Sequence, residues 1–241
     1  MSELSQHLQA VMQRIADAER HFRREPGSVR LLAVSKTFPA AAVTGLFDAG
    51  QPCFGESYLR EALAKVSALA DRKNAEGEGI EWHFIAPIQS NKTRPVAENF
   101  AWVHGLDRLK TAHRLSAQRP AQLPPLNVCV QVNISGEASK AGTRIEALPE
   151  LAAAVAELPG LCLRGLMTLP APSQGLDAQR VPFRRLRIAF EGLRAAGLDL
   201  DTLSMGMSGD LEAAIAEGAT IVRVGTAIFG ARAVRHLVGN D

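Results

Sequence analysis

A lysine closes an apolar run in Leu31-Leu32-Ala33-Val34-Ser35-Lys36-Thr37. A short apolar stretch bounded by polar residues reads as a buried strand, and its last residues emerge where the strand ends. An amine walled by apolar side chains and lying near other cations is favoured in its neutral form, which is a nucleophile toward aldehydes. The plainer alternative is a solvated lysine at a strand end, and position alone weighs the two about equally.

Far along the chain, Ser204-Met205-Gly206-Met207-Ser208-Gly209-Asp210 joins an apolar run to a helical stretch, and Gly225-Thr226 follows the last such run. Glycines let backbone approach an anion, hydroxyls donate hydrogen bonds, and free N–H groups at a helix start face negative charge. Ser208, Gly209, Gly225 and Thr226 are therefore phosphate candidates, with ordinary tight turns as the alternative. Arg223 points either into the same mouth or outward to a salt bridge on the rim. An aldehyde-capturing amine beside a phosphate site calls for a phosphorylated aldehyde. Two candidates follow, pyridoxal phosphate as a cofactor or a sugar phosphate handled by a Schiff-base aldolase.

Other signals are weaker. The segment 206–210 lacks the final glycine of a G-x-S-x-G nucleophile elbow, and 225–230 lacks the Lys-Ser/Thr of a P-loop. His83, in Trp82-His83-Phe84-Ile85, reads as a packed, hydrogen-bonded core histidine. Gln89-Ser90-Asn91-Lys92 reads as a helix start with Ser90 or Asn91 as N-cap. No HExxH or clustered His/Asp/Glu spacing calls for a metal.

These residues need a scaffold that gathers strand ends. Apolar runs fall at 31–35, 52–54, 81–85, 102–104, 127–132, 161–166, 202–204 and 220–224, with helical stretches such as 57–70 and 146–157 between them. Alternating strands and helices imply right-handed βαβ units, and eight of them close into a parallel (β/α)8 barrel, with an open doubly wound sheet as runner-up. In a barrel the reactive groups sit on strand C-termini, which admits Lys36 and both glycine-bearing segments. Before the first strand, Leu4, Leu8, Val11, Ile15, Ala18 and Phe22 repeat at helical spacing, so the barrel carries an extra N-terminal helix. The polar segments 71–79, 119–125, 135–142 and 170–182 are short enough to be loops, so 1–241 is expected to be one domain.

At 241 residues, 46% hydrophobic and 22% charged, the chain has the composition of a globular α/β domain. A net charge of +2, from 27 basic and 25 acidic residues, supplies no field for recruiting nucleic acid or anionic membrane. Cys53, Cys129 and Cys162 are odd in number and lack CxxC spacing, so they read as buried thiols in a reducing compartment. No signal pattern and no apolar membrane-spanning run is evident, and the expected location is cytoplasmic.

Several blocks together carry a resemblance: Leu32-Ala33-Val34-Ser35-Lys36-Thr37, Phe54-Gly55-Glu56, Trp82-His83-Phe84-Ile85, Gln89-Ser90-Asn91-Lys92, Val132-Asn133, Gly165-Leu166-Met167, Ser204-Met205-Gly206-Met207-Ser208 and Arg223-Val224-Gly225. In that order they resemble the pyridoxal phosphate homeostasis protein family, which shares its fold type III barrel with the N-terminal domain of alanine racemases. The resemblance implies a Schiff base between Lys36 and pyridoxal phosphate. It further implies phosphate contacts at Ser208, Gly225 and Thr226, Met207 lining the site, and Arg223 facing the pyridine nitrogen. Two positions depart from the family pattern: Ser57 stands for an asparagine, keeping a hydroxyl but losing an amide group, and Ala86 stands for a glycine. The implied role is a non-catalytic, monomeric carrier that sequesters the cofactor and delivers it to pyridoxal-phosphate-dependent apo-enzymes. A racemase-like enzyme, for which Tyr58 is the single tyrosine on offer, and an aldolase are the alternatives. Lys92 and Lys140 are loop lysines read as solvated rather than as a second cofactor site.

Overall fold

The computed structural model describes residues 2–137 and 140–230; Ala138 and Ser139, within the expected loop 135–142, lie outside the described residues, as do Met1 and 231–241. The order is α1 (Glu3–His21), β1 (Arg30–Val34), α2 (Ala40–Asp48), β2 (Cys53–Glu56), α3 (Leu59–Ala68), β3 (Glu81–Phe84), α4 (Thr93–Asn99), β4 (Trp102–Leu106) and α5 (Leu109–Gln118). It continues β5 (Leu126–Gln131), α6 (Leu148–Ala156), β6 (Leu161–Met167), α7 (Leu176–Ala195), β7 (Thr202–Ser204), α8 (Leu211–Ala216), β8 (Ile221–Val224) and α9 (Thr226–Phe229). The strands close into a barrel in sequence order, every pair parallel, which rules out the open doubly wound sheet. The closing pair sets Arg30 opposite Ile221, Leu31 opposite Val222, Leu32 opposite Arg223 and Ala33 opposite Val224.

Both faces of each strand are covered, which is why the strands read as near-continuous apolar runs rather than as alternating ones. Side chains such as Ala33, Phe54, Val103, Val128 and Val222 face the helices and join the larger core. Leu32, Cys53, Trp102, Cys129, Met167 and Ile221, drawn from six different strands, form a separate cluster that fills the barrel interior. Beside that cluster the interior also holds a polar layer of His83, His104, Ser204 and Arg223, all buried, with His83 stacked on Trp102.

The N-terminal helix is capped by Ser2, whose side chain accepts from the Ser5 backbone N–H, and it buries Leu8, Val11, Ile15 and Ala18. It packs on α8 and α9 and holds them with polar contacts. Arg14 pairs with Glu212 and donates to the Ser208 carbonyl at 3.1 Å, while His7 Nδ1 lies 3.1 Å from the Ile228 carbonyl.

Three expectations need correcting. Neither Ser90 nor Asn91 is an N-cap: residues Ser90–Lys92 form a 3-10 turn, and α4 starts at Thr93 after Lys92. Pro95 explains the shift, because proline has no N–H and is tolerated only in the first turn, which a start at Thr93 grants it. Likewise the stretch expected to be helical from 146 opens with a 3-10 turn, Ile145–Ala147, and α6 begins only at Leu148, beside a proline. Cys53 and Cys129 are buried but Cys162 is exposed, because it sits at the open N-terminal end of β6. Burial pushes the buried pair up, Cys53 to about 11 and Cys129 to about 12, so both are unreactive thiols. Among the described residues no helix is long and apolar enough to cross a membrane.

His83 and His104 are 1% and 0% exposed, and burial holds both imidazoles below the usual histidine range, His104 well below it. The unfolded chain binds protons at these rings below about pH 6.5, whereas the folded chain binds them only at lower pH. Their contribution to stability is therefore complete above that pH and is lost as pH falls. Denaturant unfolding should show stability dropping below pH 6.5, by about 1.4 kcal/mol per unit for His104 alone, with a flatter slope in His104→Phe.

Candidate functional site

Alternation carries the interior positions upward into one mouth. Leu32 lies inside β1, and Val34 and Lys36 follow it at intervals of two; Cys53 leads in the same way to Gly55 and Ser57, and Ile221 to Arg223 and Gly225. At the C-terminal ends of the strands these residues surround a cavity of ≈ 510 Å³. Lys36, Ser57, Arg223, Gly225 and Thr226 line it together with Met207, Ser208 and Gly209. Every residue expected at the site thus reaches one cavity, joined by Ile85, Ala86, Pro87 and Leu169 as an apolar wall. Ala86 is not among the described residues with positive φ, so its methyl group is accommodated without strain.

The backbone beside Lys36 is strained. Thr37 has φ 72°, a left-handed conformation that a β-branched residue rarely adopts. Its N–H donates to Glu61 Oε1 at 2.6 Å, and the same oxygen accepts from Lys65 Nζ at 2.7 Å. Lys65 also donates to the Ser35 carbonyl at 2.8 Å and to Glu56 Oε1 at 2.7 Å, and Ser35 Oγ donates to that Glu56 oxygen at 2.6 Å. The residues on both sides of Lys36 are therefore clamped by one buried ammonium and two carboxylates. Burial raises the Glu56 carboxyl, against the pull of Lys65 and Ser35, and its second oxygen, Oε2, has no hydrogen-bond partner. Sequence reasoning missed Glu61 and Lys65, although their i,i+4 spacing on α3 was a readable signal.

The opposite wall is glycine-built. Gly206 has φ +93°, and a Cβ there would lie 2.5 Å from the Ala214 Cβ, so the turn after β7 admits no side chain. A Cβ on Gly209 would meet nothing within 4 Å, which leaves that backbone open to an anion. Met207 N–H donates to Asp210 Oδ1 at 2.6 Å within the turn after β7, and Ala227 N–H donates to Ser208 Oγ at 3.3 Å, tying that turn to the segment after β8. Burial raises the Asp210 carboxyl.

Arg223 points inward and makes no rim salt bridge. At 3% exposure it donates through NH1 to Ser204 Oγ at 2.7 Å and through NH2 to the Thr168 carbonyl at 2.8 Å. Burial pulls it down to about 10, opposed by Asp210, so it remains a cation at neutral pH. Tyr58 is 50% exposed and does not line the cavity. Neither does Lys92, and Lys140 pairs with Glu137 at 2.9 Å. At the other end of the barrel, Cys53, Glu81 and His83 bring ligand-type atoms within 4.8 Å of one another, a trio their sequence spacing did not reveal. The Arg30 guanidinium already fills that position, contacting Cys53 Sγ at 2.8 Å and Glu81.

The donor set suits a phosphorylated aldehyde: a lysine at one wall, hydroxyls and open glycine backbone at the other, and a buried cation between them. Comparison with known proteins agrees. The family model for the alanine racemase N-terminal domain matches residues 6–233. The pyridoxal phosphate homeostasis protein of Pseudomonas aeruginosa is 59% identical over 96% of this chain and 97% of its own, and that of Escherichia coli is 52% identical over 96% and 98%. Among solved structures, PipY of Synechococcus elongatus with pyridoxal phosphate bound superposes with a TM-score of 0.77 at 34% identity, over 90% of this chain and 100% of PipY.

Removing one partner from a buried ion pair leaves a charge uncompensated. Lys65→Met should destabilise the fold by about 3–5 kcal/mol in chemical denaturation, and Glu56→Gln added to it should restore part of that loss.

Proposed function

The chain belongs to the pyridoxal phosphate homeostasis protein family, whose barrel is the alanine racemase N-terminal domain, and on that premise we propose that it holds pyridoxal phosphate through Lys36 and serves its homeostasis. The observation that supports this most is the meeting of Lys36, Arg223 and the Ser208-Gly209 and Gly225-Thr226 backbone in one cavity. When bound, the cofactor supplies an aldehyde, with which an amine exchanges water reversibly for a Schiff base. Lys36 provides that amine, and the Glu56–Lys65–Glu61 clamp aims it into the cavity. Ser208 and Thr226 hydroxyls and the Gly209 and Gly225 backbone would hold the phosphate, while Met207 and Ser57 would line the rest of the site. Ser57 offers one hydroxyl where an amide would offer two kinds of hydrogen-bonding group.

Arg223, which lines the cavity, would face the ring nitrogen of the bound cofactor. A guanidinium cannot hand over its proton at neutral pH, so the nitrogen stays unprotonated and the ring is a poor sink for carbanion electrons. A racemase on this plan needs a second acid/base across the cavity, and Tyr58 is turned to solvent. We therefore read residues 1–241 as one cofactor-binding domain without catalytic residues. It acts as a monomeric cytoplasmic carrier that sequesters the cofactor and delivers it to apo-enzymes.

Absorption spectra of the purified chain with pyridoxal phosphate, before and after borohydride, test the reading when the reduced adduct is mapped by peptide mass. A visible band whose adduct lies on Lys36, and which Lys36→Ala abolishes, is the expected result. An adduct on another lysine, or none, overturns it; trapping of a sugar phosphate on Lys36 instead points to the aldolase.

A further inference from the structure

Arg223 is buried without a carboxylate bonded to it, and its two recorded acceptors, Ser204 Oγ and the Thr168 carbonyl, are neutral. From Ser204 an unbroken line of short contacts runs the length of the barrel interior. Ser204 Oγ lies 2.7 Å from His104 Nδ1, His104 Nε2 lies 2.9 Å from His83 Nδ1, and His83 Nε2 lies 2.7 Å from Glu81 Oε1. The line crosses from β8 through β7, β4 and β3, and ends at the N-terminal rim, where Arg30 covers Glu81. Resting on the cofactor reading above, we propose that Ser204, His104, His83 and Glu81 are positioning residues: a one-way hydrogen-bond chain that fixes the Arg223 guanidinium against the ring nitrogen of the bound cofactor.

The two ends set the direction of every link. A guanidinium only donates and an ionised carboxylate only accepts. Arg223 donates to Ser204, so the Ser204 hydroxyl is free to donate to His104 Nδ1. With Nδ1 accepting, His104 carries its proton on Nε2 and donates to His83 Nδ1. His83 in turn carries its proton on Nε2 and donates to Glu81. One neutral tautomer of each ring satisfies all four links, and both ring nitrogens of each histidine have a partner. Reversal would require a proton on the Glu81 carboxyl, which His83 and Arg30 hold below the usual carboxylate range despite its partial burial. A second proton on either ring would force its neighbour along the line to turn its own proton away, and burial already holds both rings below the usual histidine range.

The rings are also fixed in space. His83 stacks on Trp102 at 5.4 Å with 3° between the planes, and its centroid is 5.1 Å from that of His104. The chain thus gives Arg223 an acceptor that cannot rotate away, and it aligns the imidazole dipoles between the guanidinium and the Glu81 carboxylate. Asp210 and Cys129 also face Arg223 electrostatically, but neither is hydrogen-bonded to it. The remaining guanidinium N–H groups are left to the cavity, which Arg223 lines.

Two measurements on the full chain test this. The first is ¹⁵N imidazole spectroscopy of the cofactor-free protein: both histidines should carry the proton on Nε2 and leave Nδ1 bare, unchanged between about pH 7 and 8.5. A proton on Nδ1 of either ring overturns the chain whatever the cofactor does. The second compares cofactor dissociation constants for the parent chain, Ser204→Ala and Ser204→Thr. Loss of an acceptor for a buried charged donor should weaken binding by about tenfold or more in Ser204→Ala, with a shifted absorption maximum of the bound cofactor, and the hydroxyl of Ser204→Thr should restore both. Parent-like affinity and spectrum in a folded Ser204→Ala protein would sink the positioning role while leaving the cofactor reading intact. If the parent chain forms no adduct on Lys36, the cofactor reading itself fails and this role fails with it.

Discussion

The site depends on the pairing of the first strand with the last. Leu32 opposite Arg223 and Ala33 opposite Val224 are separated by almost the whole chain, yet this parallel register sets the loop carrying Lys36 beside the one carrying Gly225 and Thr226. Their approach is close: a Cβ on Gly225 would lie 3.2 Å from the Val34 carbonyl. An open sheet would leave β1 and β8 with other neighbours, and the amine and the phosphate loops would not face one cavity. Closure also creates an interior, where six strands contribute an apolar cluster and the polar layer threads past it.

That polar layer and the clamp below Lys36 share a logic. Each buries charge, which is unfavourable unless hydrogen bonds satisfy it, and each uses the resulting network to hold one functional group. Lys65 binds two carboxylates and a carbonyl, and the strained turn at Thr37 is held by one of those carboxylates. Strain of this kind persists only where surrounding contacts over-determine the conformation, and here they do so next to the amine proposed to capture the cofactor. On the other wall, α1 buttresses the anion-facing loops through Arg14, so the extra helix outside the barrel is also part of the site's support.

Much of this was legible in the sequence. Apolar runs marked all eight strands to within a few residues, because strands buried on both faces are mostly apolar. Lys36, Arg223 and the glycine-bearing loops stood out because their chemistry and their position at strand ends agreed. What stayed hidden depends on neighbours brought together by closure. Nothing local says that His104 on β4 meets Ser204 on β7, or that Cys53 meets Glu81 and Arg30. The helix starts near Ser90 and Glu146 differ for another reason: a 3-10 turn precedes each α-helix, and Pro95 and Pro149 sit in the first turn that follows it. Cys162 misled because an apolar strand suggests burial along its length, whereas at the start of β6 burial alternates, with Leu161 covered and Cys162 exposed.

A crystal structure of the chain with pyridoxal phosphate would test the central claim most directly. The account predicts continuous density from Lys36 Nζ into the cofactor, the phosphate among Ser208, Gly209, Gly225 and Thr226, and Arg223 within hydrogen-bonding distance of the ring nitrogen while still bonded to Ser204. A cofactor seated elsewhere, or one whose phosphate lies away from these loops with Arg223 turned from the ring, would contradict it.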